Sequence, residues 1–187
     1  MFISQGPCAS SGNDSGETKM KKLIQHLLTG AVLVSAVIGT NTLANEQVVF
    51  LDSSTQGIYP GESFDVLVNY SVTNQVSVSG LGIQIFFDSS VLTLAPVTEV
   101  FGEGLIAQAI QADNNNLDND PSTDSYVNIS WMSFSGQWPM QMPESLELTR
   151  LSFSSAENFT GSFIHVGKSS NAAGYDFVGQ TLYISAN

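Results

Sequence analysis

From residue 45 onward the chain contains no cysteine; its single one, Cys8, lies in a polar leader with no apolar run before it. Disulfides, thiolate metal sites and cysteine nucleophiles are thereby excluded from that part of the chain. Basic residues are almost as scarce. Five Lys and Arg stand against 17 Asp and Glu, for a formal net charge of −12, and three of the five lie within the first 22 residues. Such a surface has no electrostatic footprint for a phosphate backbone, so nucleic acid is excluded as a partner. Only two histidines are present, His26 and His165, and no Gly-x-Ser-x-Gly elbow occurs. With one imidazole after residue 45 there is no pair for a zinc site and no serine elbow for His165 to serve. A non-enzyme is expected, with His165 as a hydrogen-bonded strand residue. A sustained 3.6-residue apolar stripe is also missing, which excludes a helical fold.

What is present begins with Met20-Lys21-Lys22 followed by an apolar run through Ile38, and then Thr42-Leu43-Ala44 with small residues at its ends. This is the grammar of a signal peptide over 20–44 with cleavage after Ala44; a retained membrane anchor is the other reading of the same run. Residues 1–19 read as a leader upstream of the better start at Met20. The domain proper is expected over 45–187. It carries 15 carboxylates against Arg150 and Lys168, a formal charge of −13. A secreted protein, or one of the periplasm or cell envelope of a bacterium, is the expectation, with no membrane anchor after cleavage.

Short alternating runs broken by Gly, Pro, Ser and Asn predict strands over 47–52, 63–72, 80–87, 91–95, 105–111, 126–134, 146–154, 162–166 and 180–185. That pattern predicts an all-β, two-sheet antiparallel sandwich. Alternation sends Leu81, Ile83, Ile85 and Phe87 inward with Val127, Ile129 and Trp131, and sends Gly82, Gln84 and Phe86 outward with Asn128, Ser130 and Met132. In 146–154 the phase changes, which predicts a bulge near Arg150.

Two stretches, Pro60-Gly61-Glu62-Ser63-Phe64-Asp65-Val66-Leu67-Val68 and Val78-Ser79-Gly80-Leu81-Gly82-Ile83-Gln84-Ile85-Phe86-Phe87-Asp88-Ser89-Ser90-Val91-Leu92-Thr93-Leu94, resemble the opening half of a cohesin domain. Tyr126–Trp131 and Leu148–Phe153 sit where cohesins have later core strands. The resemblance covers nearly all of 46–185. It implies a nine-stranded jelly roll, related to the family 2 and family 3 carbohydrate-binding module fold, and a non-catalytic domain whose flat sheet face binds a dockerin-like protein partner. Gly82, Gln84, Phe86, Asn128, Ser130 and Met132 are the residues expected on such a face.

Two further features carry candidate chemistry. Trp138 sits in a loop with two prolines and two methionines, where the ring is either an exposed ligand platform or an anchor packed on the sandwich edge. As a platform, helped by Tyr175, it would make the domain a carbohydrate-binding module for an extracellular polysaccharide. The loop 113–124 holds four Asp and four Asn. Asp118, Asp120, Ser122 and Asp124 repeat the alternate-position spacing of calcium ligands, so calcium is one expectation and a solvated acidic loop rich in Asx turns the other.

Overall fold

The computed structural model describes residues 44–53, 55, 57–98, 100–102 and 109–187, all within one unit, Leu43–Asn187. The expected signal peptide, and the 105–108 part of the fifth predicted strand, lie outside the described residues. Among those described, no helix is long and apolar enough to cross a membrane.

Among the described residues eleven strands follow one another: β1 (Glu46–Ser53), β2 (Gly57–Ile58), β3 (Ser63–Val72), β4 (Gly80–Phe87), β5 (Leu92–Leu94), β6 (Gln111–Ala112), β7 (Ser125–Met132), β8 (Leu146–Ser155), β9 (Gly161–Asn171), β10 (Asp176–Gly179) and β11 (Thr181–Ala186). They form a five-stranded sheet in the order β10-β1-β3-β8-β5 and a six-stranded sheet in the order β2-β11-β9-β4-β7-β6. The two sheets make the expected β-sandwich, with two more strands than predicted. Pairing is antiparallel except at two edges, where β10 runs parallel to β1 and β2 parallel to β11.

The inward sets of both sheets are buried together: Val49, Val66, Val68, Leu148, Leu151 and Phe153 from one, Ile83, Ile85, Phe87, Val127, Ile129 and Ile164 from the other. Phe87 meets Phe153 edge-on across the layer, ring centroids 5.5 Å apart. β8 carries the anticipated bulge slightly earlier than Arg150. Val68 pairs with Thr149 and Asn69 with Glu147, so Leu148 is the extra residue. That insertion lets Leu148 and Thr149 both be buried while Arg150 stays outside, bridged to Asp65 and Glu147.

The chain changes sheets between β10 and β11 through one residue. Gln180 donates its N–H to Val49 O in one sheet, while its carbonyl accepts from Val166 N in the other. Glycine precedes it of necessity: a Cβ on Gly179 would lie 2.0 Å from Val166 O. The parallel edge strand β10 thus results from a close approach of two backbones, as at the corners of other sandwiches.

Candidate functional site

The outward face of the six-stranded sheet follows from the register. Tyr183 lies opposite Phe163; Thr181, His165, Phe86 and Tyr126 form the next row, and Gly167, Gln84 and Asn128 the one after. Gly82 and Ser130 follow, with Ser170 across from Gly82, and then Gly80 beside Met132. The predicted alternation of β4 and β7 is therefore met, but the six candidates differ in what they offer. Gln84, Asn128 and Ser130 are half-buried and Met132 is exposed.

Phe86 and Gly82 need correction as contact residues. Phe86 is only 1% exposed. Its Cε2 sits 2.6 Å from where a Cβ on Gly167 would be. The ring thus lies flat on the sheet over a glycine and under Tyr126, whose ring centroid is 5.3 Å away. Gly82 is buried beside the hydroxyls of Ser169 and Ser170, either of which a Cβ would meet at 2.5 Å.

At the Met132 end the face is rimmed by apolar side chains. An open groove of about 470 Å³ runs between the ends of β4, β7 and β9, lined by Leu81, Trp131, Met132, Phe134 and the hydroxyls of Ser130 and Ser170. Phe134, on the turn that leaves β7, is 96% exposed and Met132 53%. The sequence pattern runs the strand through Phe134, which hides the fact that this ring stands at a turn.

The acidic loop does not gather its carboxylates. Asp118 accepts from Asp120 N at 3.1 Å and from the buried Thr123 hydroxyl at 2.7 Å. Asp120 accepts from Ser122 N and Oγ through one oxygen, and its other oxygen lies 2.8 Å from His165 Nε2. Asp124 accepts from Ser89 N at 2.7 Å and Ser89 Oγ at 2.9 Å. Ser122 is thus a donor to Asp120. Among the described residues no three His, Cys, Asp or Glu side chains stand grouped around a point that a cation would occupy. The alternate spacing of Asp118, Asp120, Ser122 and Asp124 makes Asx and ST turns here.

His165 ties this loop to the sheet. Its Nδ1 lies 2.8 Å from Thr181 Oγ1 and its ring stacks on Phe163 at 5.8 Å. The strand-histidine reading is met, and its carboxylate partner lies 45 residues away, where no local pattern points.

The bonds from Ser122 Oγ and N–H, together with His165, hold Asp120 below its ordinary carboxylate range. Burial pushes Asp124 up, but bonds from Ser89, Ser125 and its own N–H outweigh that and leave it lowered. A carboxyl depressed on folding contributes stability that is complete above its unfolded pKa and is lost as pH falls through its folded pKa. An Asp120→Asn, Asp124→Asn double variant should therefore show a shallower fall of Tm between about pH 5 and pH 2 than the parent. Equal slopes in a pH series of thermal melts would show that these bonds do not anchor the loop.

Trp138 is the loop anchor and not the platform. It is 5% exposed, stacked on Trp131 at 5.6 Å and tilted against Tyr70 at 5.2 Å. Its backbone bridges to Val78 in both directions, at 2.7 and 2.9 Å. Indole burial between two core rings outweighs the two flanking prolines that suggested an open loop. Tyr175 is half-buried against the core in the turn that follows β9. Neither ring offers a sugar a flat open surface. Open aromatics stand elsewhere: Phe134 and Tyr59 on turns, and Phe163 and Tyr183 on the sheet.

No protein-family model matches this chain, and no curated protein matches it. Solved structures do. CaCohA2 of Clostridium acetobutylicum, seen in complex with a CaDoc0917 variant, is 16% identical with a TM-score of 0.49, over 75% of this chain and 99% of that one. A type II cohesin domain from the cellulosome of Acetivibrio cellulolyticus is 13% identical, TM-score 0.47, over 74% and 95%. The cohesin module of a Clostridium perfringens family 33 glycoside hydrolase is 8% identical, TM-score 0.47, over 77% and 97%.

Proposed function

We propose that this domain is a non-catalytic binding module that recognises a protein partner through the outward face of β4 and β7. One observation carries the reading: Met132 and Phe134 stand exposed at the rim of an open groove, beside the half-buried polar row Gln84, Asn128 and Ser130. Apolar side chains at a rim with a polar neighbourhood are the composition of a protein-recognition patch. They have no role in the core, and because both line one groove they form a patch and not singly scattered surface residues. The cohesin-like motifs of β3 and β4 make a dockerin-like module the partner class to try first, and the signal-peptide grammar of 20–44 supports export to meet it.

Affinity capture from the extracellular and envelope fractions tests this. The domain is expected to retain a partner that a Met132→Asp, Phe134→Asp variant of unchanged Tm does not. Equal retention by both proteins would remove this face as the binding surface.

A further inference from the structure

Two aromatic rings lie open on the outward face of β9 and β11, outside the patch proposed above. Tyr183 and Phe163 are cross-strand neighbours with ring centroids 4.8 Å apart and planes inclined at 51°. They remain 51% and 42% exposed. Side chains on a strand normally stand up from the sheet. Tyr183 instead leans along it: its Oη and Cζ come within 2.2 and 2.9 Å of where a Cβ on Gly161 would be. Gly161 has φ +133°, a backbone conformation that side chains rarely adopt, so glycine serves both the strand and the ring above it. The result is a phenol ring laid low along the sheet and half open to water.

Beside that ring opens a cleft of about 320 Å³, lined by Asp52, Ser53, Thr55 and the β11 run Leu182–Ser185. A half-open aromatic ring beside a cleft lined by both apolar and polar residues matches a pyranose, which presents a C–H face on one side and equatorial hydroxyls around its edge. Charge narrows the class. With Arg150 and Lys168 the only basic residues after residue 45, against 15 carboxylates, uronate or sulfated glycans would be repelled. Arg150 is on β8, in the other sheet, and Lys168, though on β9, is five residues along the strand from Phe163 and pairs with the inward Ile83.

We propose that Tyr183, Phe163 and the cleft beside Tyr183 form a subsite for a neutral pyranose residue of a polysaccharide. It is separate from the Met132 and Phe134 patch. In the rows of the face, the His165 and Asp120 contact falls between the two. Affinity electrophoresis in native gels containing hydroxyethylcellulose, xylan, soluble starch or alginate tests it. Retardation by at least one of the three neutral polymers and none by alginate is expected. Tyr183→Ala and Phe163→Ala should each weaken it about tenfold, the scale of one stacked ring, while Tyr183→Phe and Met132→Ala keep it, all at unchanged Tm. Retardation by none of the neutral polymers, equal retardation by alginate, or retardation that survives both alanine variants would overturn the proposal. Because the protein-partner reading is tested by variants at Met132 and Phe134, either can fail while the other stands.

Discussion

Phe153→Ala should lower the free energy of unfolding by about 3–5 kcal/mol, the cost of deleting a large buried ring with its cavity. Phe153 is 1% exposed and sits where the two sheets meet. Its ring stacks on Phe64 of β3 at 5.7 Å, planes 19° apart, and takes the edge of Phe87 from β4 at 5.5 Å. Losing it empties a space walled by both layers. Strands fixed by their ladders on either side leave that space little room to close. Ile85→Ala, on the facing sheet and fully buried, should cost about 2–5 kcal/mol by the same mechanism. Urea unfolding read by fluorescence would show a lower midpoint at unchanged slope for both variants. A Phe153→Ala midpoint equal to the parent's would mean that the sheets do not pack through this ring.

The layer these two residues occupy is also the part most legible in the sequence. Period-two alternation fixes which side chains of β4 and β7 turn inward because one face of each strand must be buried, and a one-residue slip would invert every position. The phase break in β8 was equally readable, since Leu148 and Thr149 are both buried next to each other. What escaped depends on partners distant in sequence. Phe86 reads as outward and is outward, yet Gly167 and Tyr126, on two other strands, decide that its ring lies covered. Trp138 is anchored by Tyr70 and Trp131, from two other elements. In 113–124 the Asx turns were legible, but the donors to Asp124 from Ser89 and the contact of Asp120 with His165 were not. β2 and β10 are parallel edge strands of two and four residues, too short to carry a period. The outward row Gln84, Asn128, Ser130 and Met132 was legible as a face; the exposure of Phe134 and the leaning Tyr183 were not, because a turn and a glycine set them.

Gln47→Leu should destabilise the domain by an amount set by the polar groups it orphans, about 1–3 kcal/mol for each. Gln47 is fully buried although it is polar, and its amide is used on both sides. Nε2 donates to Tyr70 Oη at 3.0 Å and to Gly80 O at 3.0 Å, while Oε1 accepts from Ala172 N at 2.6 Å. One side chain on β1 therefore ties together β3, the start of β4 and the turn after β9, across both sheets. Leucine fills nearly the same volume, so the loss reports the hydrogen bonds and not a cavity. The Ala172 N–H is the group left worst placed, because a buried donor without water or acceptor carries the whole desolvation penalty. A second readout separates this from general loosening. Burial pushes the Tyr70 hydroxyl up to about 12, and the bond from Gln47 pulls the other way by stabilising the phenolate. A raised folded pKa gives stability that is complete below the unfolded value of about 10 and falls as pH climbs through the folded one. Removing the donor should therefore move Tyr70 higher still, carrying its phenolate absorbance to more alkaline pH in a spectrophotometric titration of the folded variant. A lowered urea midpoint together with an earlier Tyr70 titration would instead mean that the leucine opens the core to water. An unchanged midpoint would mean that Ala172 and Gly80 find other partners and that Gln47 is not the tie between the sheets.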